Sequence, residues 1–367
     1  MRKTEFAIVG AGPAGLSAAI EAARAGVKVV LADENQRPGG QLFKQIHKFF
    51  GSEAHHAGAR GIDIGTMLLQ QVSQQKNVEI MLDSVVWGIF RANPGHTLGV
   101  IHNSKNIHLK ARKVLLATGA TENVLAFPGW TLAGVMGAGA IQTLVNVHRV
   151  LPGKRVLMVG SGNVGLIVSY QLLQAGAEVV AIVEALPKIG GYAVHASKVA
   201  RTGVPILTST TVKEVHGKGK VEKAVLVQID ENWQPLTGTE RELEVDVVCL
   251  ACGLSPLAEL AWITGCKFTD VPELGGHVPI HNENMETTVS GIYVAGDLAG
   301  IEEASTAIEE GRLVGIAVAE ALGYLAAGEA KDKKTEISNR AEQLREGPFG
   351  ITRKQAKEQL IRRSLSE

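Results

Sequence analysis

The chain has 367 residues, of which 45% are hydrophobic, 20% charged and only 4% aromatic, and its net charge is zero. Length and composition indicate a globular protein of two or three domains. The absence of net charge and the scarcity of aromatic residues argue against a nucleic-acid partner, because base-binding surfaces combine basic and stacking side chains. Three cysteines exclude a disulfide framework and favour a reducing, cytoplasmic location.

Residues 5–33 (EFAIVGAGPAGLSAAIEAARAGVKVVLAD) predict a strand, a Gly-x-Gly-x-x-Gly turn, a helix and a second strand that ends in an acid. In such a unit the first glycine permits a tight turn, the second admits a pyrophosphate and the third allows close packing of helix on strand. The helix start offers free N–H groups to phosphate, and the acid can accept hydrogen bonds from a ribose. The residues expected around this nucleotide are Gly10, Gly12, Pro13, Ala14, Gly15, Asp33 and Glu34.

Residues 155–184 (RVLMVGSGNVGLIVSYQLLQAGAEVVAIVE) repeat this pattern. Two complete units in one chain favour nucleotide binding over a packing-only origin of the glycines, whereas one motif alone would not distinguish the two. Glu184 lies one residue later than Asp33 relative to its glycines, so its ribose role is less secure. An acid there favours NAD(H) over NADP(H), since it would repel a 2′-phosphate. The second set of expected nucleotide contacts is Gly160, Gly162, Asn163, Val164, Gly165 and Glu184.

Residues 247–256 (VVCLACGLSP) place Cys249 and Cys252 in C-x-x-C spacing, which occurs in redox dithiols and in metal half-sites. This apolar run parallels residues 113–120 (KVLLATGA), with Cys252 in the position of Thr118. Side chains alternate along a strand, so we expect the two sulfurs on opposite faces, where they cannot form a disulfide. The spacing therefore does not predict a dithiol that carries electrons.

The two nucleotide units, the Ala-Thr-Gly strand end and a later strand ending in Gly-Asp (residues 289–300) resemble the FAD/NAD-linked pyridine nucleotide–disulfide oxidoreductase superfamily over about residues 5–325. In that family an acid placed like Asp297 bonds the ribityl chain of FAD. The resemblance implies FAD on the first unit, and NAD(H), or alternatively ATP or ADP, on the second. The FAD contacts that it adds are Gly40, Gln41, Thr118, Gly119, Gly296 and Asp297.

Residues 39–51 follow the first unit, where the resemblance expects the flavin ring. Gln41, Lys44 and His47 are candidates for acting on flavin or substrate, and a solvated helix face is the alternative for Lys44 and His47. No zinc-binding spacing occurs, so we expect no metal, and we interpret His47, His55 and His56 as loop or surface residues.

A closer resemblance is carried by residues 127–144, 190–212 and 249–268, which follow one another as in the larger flavoprotein subunit of a group of enzyme complexes. The group comprises opine oxidase, hydrogen cyanide synthase, dye-linked proline or hydroxyproline dehydrogenase, and the related part of sarcosine oxidase. This resemblance implies a hetero-oligomer with a second flavoprotein, an iron–sulfur subunit, or both. No cysteine follows Cys266, so any iron–sulfur centre must belong to a partner.

We expect an α/β fold with two Rossmann-like domains, the second inserted into the first. The FAD-binding domain should comprise 1–123 and 272–328, and the NAD-type domain 124–271. Residues 329–367 form a charged tail with 10 basic and 6 acidic residues from 331 onward. A helix is expected near Thr352, with Thr352 and Gln355 as a capping box and Ala356, Leu360 and Ile361 on one side. The tail is interpreted as solvated or, alternatively, as a docking helix for a partner subunit.

The function expected from these features is that of an FAD-dependent oxidoreductase, a subunit that oxidises an amine or imino acid (proline, hydroxyproline, sarcosine or opine class) with NADH dehydrogenase activity as an option. One alternative is a stand-alone NADH oxidase or NADH:acceptor reductase. Another is a non-catalytic scaffold that binds nucleotide. The charge-free stretches 128–148 and 156–177 are interrupted by glycine and polar residues, so no membrane span is expected.

Overall fold

The protein is described by a computed structural model that covers residues 2–347 and 350–365. The chain forms two compact units, residues up to Thr121 together with those from Leu254 onward, and Glu122–Gly253. The chain returns to the first unit earlier than the expected boundary at 271/272. The reason is that Ala258, Ala261 and Cys266 are buried in the core of the first unit.

The described residues contain strands and helices as follows. The strands are β1 Arg2–Val9, β2 Val29–Ala32, β3 Val78–Met81, β4 Ser84–Arg91, β5 His96–His102, β6 Lys105–Leu116, β7 Ala120–Glu122, β8 Val135–Gly137, β9 Arg155–Val159, β10 Glu178–Val183, β11 Ile206–Leu207, β12 Thr210–His216, β13 Lys223–Gln228, β14 Arg241–Glu244, β15 Val247–Leu250, β16 Leu254–Pro256, β17 Phe268–Val271, β18 Gly276–Pro279 and β19 Ile292–Val294. The helices are α1 Pro13–Arg24, α2 Gly61–Ser73, α3 Ala138–Gln142, α4 Asn163–Gln174, α5 Ala193–Ala200, α6 Glu259–Ile263, α7 Ala304–Ala321, α8 Ala327–Leu344 and α9 Ile351–Ser364.

The first unit is built on a parallel sheet in the order β3-β2-β1-β6-β19. The long strand β6 pairs with two strands along the same edge. Its carboxyl-terminal half pairs with β19, and its amino-terminal half pairs with the antiparallel strand β5. Helices α1 and α7 pack closely, since a Cβ on Gly311 of α7 would lie 2.1 Å from the carbonyl oxygen of Ala14. Small residues on both helices therefore bring their backbones together.

The second unit repeats this order in a parallel sheet β11-β10-β9-β15-β8 and adds an antiparallel sheet β12-β13-β14. Two apolar clusters cover the two faces of the parallel sheet. Alternate residues of β9 divide between them, with Leu157 and Val159 in one cluster and Val156 and Met158 in the other. The expected fold, two Rossmann-like units with the second inserted into the first, is confirmed.

The tail is folded into two helices, so the solvated-tail interpretation is wrong for α8 and α9. Ala356 and Leu360 of α9 are buried with Leu274, Val278 and Ile280, as one apolar side of the helix requires. The capping box is also wrong, because Gly350 is the N-cap of α9 and Thr352 lies inside the first turn.

Within the described part of the chain, no helix combines the length and the apolar character that a membrane crossing requires.

Candidate functional site

The glycines of the first turn divide into two that pack and one that faces open space. A Cβ on Gly10 would lie 2.2 Å from the carbonyl oxygen of Ala117, and one on Gly15 would lie 1.9 Å from that of Gly10. A Cβ on Gly12 would meet no described protein atom within 4 Å. Gly10 also has a φ of +104°, a left-handed conformation that favours glycine. The turn is therefore closed on the sheet side and open at Gly12, where a pyrophosphate would approach the backbone.

The second turn has the same geometry. A Cβ on Gly160 would lie 2.4 Å from the carbonyl oxygen of Ala251, one on Gly165 would lie 2.1 Å from that of Gly160, and one on Gly162 would meet nothing described within 4 Å. Helix α4, like α1, carries no acid in its first turn and, among the described residues, no side-chain cap. Both helix starts can therefore direct their N–H groups at an anion.

The acids at the ends of β2 and β10 hold their turns in the same way. Asp33 Oδ2 accepts a hydrogen bond from the N–H of Ala11 at 2.6 Å. Glu184 Oε2 accepts one from the N–H of Ser161 at 2.9 Å and a second from the Ser161 hydroxyl at 2.7 Å. Asp33 Oδ2 and Glu184 Oε1 each accept one hydrogen bond, the latter from the N–H of Leu186, so each acid keeps an oxygen that can still receive a ribose hydroxyl.

A β-bulge explains why Glu184 lies one residue late. The register between β10 and β9 shifts between Val179 and Ala181, so one extra residue is absorbed within the strand. After the bulge Val183 pairs with Val159, as Ala32 pairs with Val9 in the first unit. Glu184 therefore occupies the place of Asp33, a correspondence that residue counting left uncertain.

A glycine pair returns to each turn, and the second pair was missed in the sequence. The N–H of Gly39 donates to the carbonyl oxygen of Ala11 at 2.7 Å, and that of Gly191 donates to Ser161 at 2.9 Å. A Cβ on Gly40 would lie 2.9 Å from the Cα of Gly12. The signal was present as "GG" in both RPGGQLF and KIGGYAV, each following an acid by a few residues.

The ends of the third strands also correspond. The N–H of Ala117 donates to Val9 at 2.8 Å, and that of Ala251 to Val159 at 2.7 Å, which places Thr118 and Cys252 alike. The Thr118 hydroxyl donates to the carbonyl oxygen of Leu257 at 2.7 Å. Gly119, the next residue, has a φ of +77° and open space around its Cβ position.

The two cysteines lie against different faces of the sheet, as predicted. Cys249 is buried in the cluster that contains Val156, whereas Cys252 packs against the cluster that contains Leu157. Both thiols are free. Burial raises the pKa of Cys249 well above its usual value, and burial followed by the charge of Glu184 raises the pKa of Cys252. Neither thiol has the lowered pKa that a redox-active cysteine requires.

Asp297 lies in the short 3₁₀ turn Gly296–Ala299, after β19 and before α7. Burial raises the pKa of Asp297 to about 6, and the charges of Glu310 and Glu303 act in the same direction. The N–H of Gly296 donates to Glu310 Oε2 at 2.9 Å. Asp297 is thus a half-buried acid on a turn whose first N–H group is bonded to Glu310.

The family model described as pyridine nucleotide-disulphide oxidoreductase matches residues 4–311, which span both glycine turns and the Asp297 turn. The chain belongs to the pyridine nucleotide-disulphide oxidoreductase family. Members of this family are flavoprotein oxidoreductases that typically bind FAD and NAD(P)H. The open positions at Gly12 and Gly162, each beside an uncapped helix start and an acid, fit two dinucleotides.

Two curated relatives of this chain are enzyme subunits. It is 29% identical to an opine oxidase subunit of Agrobacterium tumefaciens over 93% of the chain and 70% of that protein. It is 28% identical to the HcnB subunit of hydrogen cyanide synthase from Pseudomonas aeruginosa over 94% of the chain and 77% of that protein. The relationship to these two proteins is therefore distant but extends along nearly the whole chain.

Two solved structures have a similar fold. L-proline dehydrogenase of P. horikoshii matches with a TM-score of 0.69 and 25% identity over 91% of this chain, which spans 59% of that protein. Thioredoxin reductase of T. acidophilum matches with a TM-score of 0.73 and 22% identity, over 88% of this chain and all of that one. The second similarity concerns the fold alone.

The remaining candidates in the first unit lie between Glu34 and His47. Gln41 and Glu34 are exposed, while Lys44 and His47 are half-buried, with the His47 ring stacked on Phe49. The surface interpretation is wrong for His55, which is 4% exposed and contacts the Ser52 hydroxyl and the Arg340 carbonyl oxygen. Its buried position follows from contact with α8, which sequence reasoning treated as a solvated tail.

In the second unit Asn163 has a structural hydrogen bond and Val164 is exposed at the helix start. Asn163 Oδ1 accepts from the N–H of Tyr192 at 2.8 Å, which ties the second glycine-pair loop to α4. Val164 is 42% exposed. Among the residues that the structure describes, no three His, Cys, Asp or Glu side chains group as a metal site would require.

Proposed function

We propose that this chain is an FAD-dependent subunit of an amine or imino-acid dehydrogenase complex of the proline, hydroxyproline, sarcosine or opine class, with NAD(H) at the second turn. The observation that carries the proposal is the similarity to HcnB and to a subunit of opine oxidase along more than nine-tenths of the chain. The partner would be a second flavoprotein, an iron–sulfur subunit, or both.

In this proposal the first unit holds FAD. Gly12 and the N–H groups at the start of α1 receive the pyrophosphate, Asp33 a ribose, and Asp297 the ribityl chain. Glu34, Gly40, Gln41, Thr118 and Gly119 remain proposed neighbours. Bound FAD supplies hydride and electron transfer, while the protein contributes position and electrostatics.

The second unit would hold NAD(H) with Gly162 at the pyrophosphate and Glu184 at the adenosine ribose. Glu184 is fixed by the hydrogen bonds from Ser161, so its charge cannot easily turn away from a 2′-phosphate. NADH is therefore favoured over NADPH, and ADP or ATP is the alternative occupant.

Anaerobic reduction of the flavin tests the function directly. The purified chain and the chain in complex with its partner subunits are each mixed with NADH, NADPH, and a panel of secondary amines and imino acids, and flavin bleaching is followed. We expect an imino acid to bleach the flavin only when the partners are present. Bleaching by NADH alone, with no response to any amine, would instead identify an NADH:acceptor reductase.

The reductase is the second candidate because the second turn keeps every feature of a dinucleotide site, including Gly162 and Glu184. The scaffold alternative predicts ADP binding with no bleaching by any donor. Gln41, Lys44 and His47 stay candidates for contact with the flavin or substrate, and alanine variants of each in the bleaching assay test them.

A further inference from the structure

Two cations from the C-terminal helices reach a pair of buried acids beside the Asp297 turn. Lys357 of α9 is 3% exposed, and Arg345, which follows α8, is 8% exposed. The acids are Glu310 of α7, which is 4% exposed, and Glu302, whose side chain is 6% exposed. A lysine and a glutamate are rarely buried this deeply unless they are paired.

Glu310 connects the turn to both cations. Its Oε2 accepts from the N–H of Gly296 at 2.9 Å, and its Oε1 accepts from Lys357 Nζ at 2.8 Å and from Arg345 at 3.2 Å. Lys357 Nζ also donates to the carbonyl oxygen of Ala299 at 2.8 Å. Gly296 and Ala299 are the first and last residues of the turn that carries Asp297. Lys357 therefore contacts one end of the turn directly and the other end through Glu310.

The two cations that compensate the acids next to the Asp297 turn both come from the tail. Glu302, Glu303 and Glu310 follow Asp297 closely in the chain and lie near it. Lys357 and Arg345, by contrast, both come from residues after 344. Removing one partner of a buried ion pair leaves the other charge without compensation, which is much more costly than loss of a surface pair. The electrostatic balance of the turn is therefore set by α9 and the end of α8.

Apolar packing anchors α9 in addition to the contacts of Lys357. The helix is anchored by Leu360, which is 1% exposed, and by Ala356, and both pack on Leu274, Val278 and Ile280. A change at Lys357 that keeps its apolar stem should leave this packing intact.

We propose that Lys357 is a positioning residue for the flavin, which acts through Glu310 and the Ala299 carbonyl to hold the Asp297 turn in the conformation that receives FAD. The C-terminal helix α9 is thus part of the flavin site without touching the flavin. This inference rests on the proposed assignment of FAD to the first unit.

The test compares Lys357→Met and Lys357→Arg with a matched control, Lys354→Met. Lys354 lies one turn earlier on α9 and pairs with Glu342 at the surface. Apoprotein of each variant is titrated with FAD by flavin fluorescence, the thermal midpoint is measured on the same samples, and the FAD titration is repeated between pH 5 and 8.

We expect Lys357→Met to weaken FAD binding at least about tenfold, Lys357→Arg to recover part of the loss, and Lys354→Met to bind as the wild type does. The pH at which FAD is lost should also rise in Lys357→Met, because Asp297 then keeps the neighbouring charges of Glu310 and Glu303, which favour its protonation, and loses the opposing charge of Lys357. A purely structural role would lower the thermal midpoint without moving that pH.

The double variant Lys357→Met/Glu310→Gln keeps the inference testable if Lys357→Met does not fold, because it leaves no uncompensated charge at this pair. It should fold, and it should still bind FAD more weakly than Lys354→Met does, since the Ala299 contact is lost. Wild-type affinity with an unchanged pH response in Lys357→Met, or wild-type affinity in the double variant, would overturn the inference. Failure of the wild type itself to bind FAD would instead contradict the proposed function.

Discussion

Gly12 and Gly15 have opposite structural roles although one motif contains both. Gly12 has φ −74° and ψ −173°, which alanine can adopt, and its Cβ position is open, whereas a Cβ on Gly15 would overlap the Gly10 carbonyl. Gly12→Ala should therefore weaken FAD binding by about tenfold or more, because the methyl group occupies the pyrophosphate approach, with little change in thermal midpoint. Gly15→Ala should lower the thermal midpoint itself. Equal loss of stability in the two variants would contradict this division.

Asp297 should make stability depend on pH in an identifiable direction. Its pKa is about 6 in the folded protein and near its ordinary value of 3.8 when unfolded, so folding binds a proton between these values. The destabilisation by Asp297 is absent below pH 4 and grows as the pH rises through 6. The difference in the free energy of unfolding between the Asp297→Asn apoprotein and the wild type should therefore grow in favour of the variant, by about 2–3 kcal/mol from pH 4 to pH 7. Urea unfolding of both proteins at these pH values measures the difference, and a constant difference would refute it.

Glu184 should govern the choice between NADH and NADPH. Glu184→Gln keeps the acceptor oxygen for Ser161 but removes the charge that repels a 2′-phosphate, so the preference for NADH should fall about tenfold. Ser161→Ala is the control, because it removes the two hydrogen bonds of the Ser161 hydroxyl, one to Glu184 and one from the N–H of Gly190, and leaves the charge. Binding of each nucleotide by fluorescence gives the ratio, and an unchanged ratio in Glu184→Gln would place the specificity elsewhere.

Helix α9 is mostly polar, and its apolar packing against the rest of the first unit depends on Ala356 and Leu360. Leu360→Ala should lower the free energy of unfolding by about 2–5 kcal/mol, the range for a buried leucine. Leu365, which is 84% exposed, is the matched control, and Leu365→Ala should have almost no effect. Thr352→Ala should also change little, because Gly350 rather than Thr352 is the N-cap. A loss of about 1 kcal/mol at Thr352 would restore the capping interpretation.

The same set of elements, used twice, builds both nucleotide units. Strand, glycine turn, helix, acid, glycine pair and third strand recur with equivalent hydrogen bonds, and the bulge in β10 accommodates the one difference in length. Backbone contacts of this kind depend on spacing and on the absence of a Cβ, so they can be anticipated from residues. The second glycine pair, Gly190–Gly191, could have been found by aligning the two halves of the chain beyond their acids.

At the scale of the whole molecule, no dithiol route is available for electrons through Cys249 and Cys252. The protein with both replaced by alanine should therefore retain flavin bleaching by its donor within about twofold of the wild type, provided that it folds. Stopped-flow absorbance under anaerobic conditions measures the rate, with circular dichroism to establish folding. Loss of bleaching in a folded double variant would show that the thiols take part.

The sequence by itself determined the fold class, the two glycine turns, their acids and the opposite placement of the two cysteines. These features are local in the chain, because strand alternation and turn geometry act over a few residues. Only the tertiary structure decided that the tail is packed rather than solvated, that His55 is buried beneath α8, and that Lys357 reaches Glu310. Those contacts join residues about 50 to almost 300 positions apart. In the sequence, the charged residues that make these contacts cannot be distinguished from ordinary surface residues, because only the fold removes water from around them. No local pattern therefore predicts these contacts.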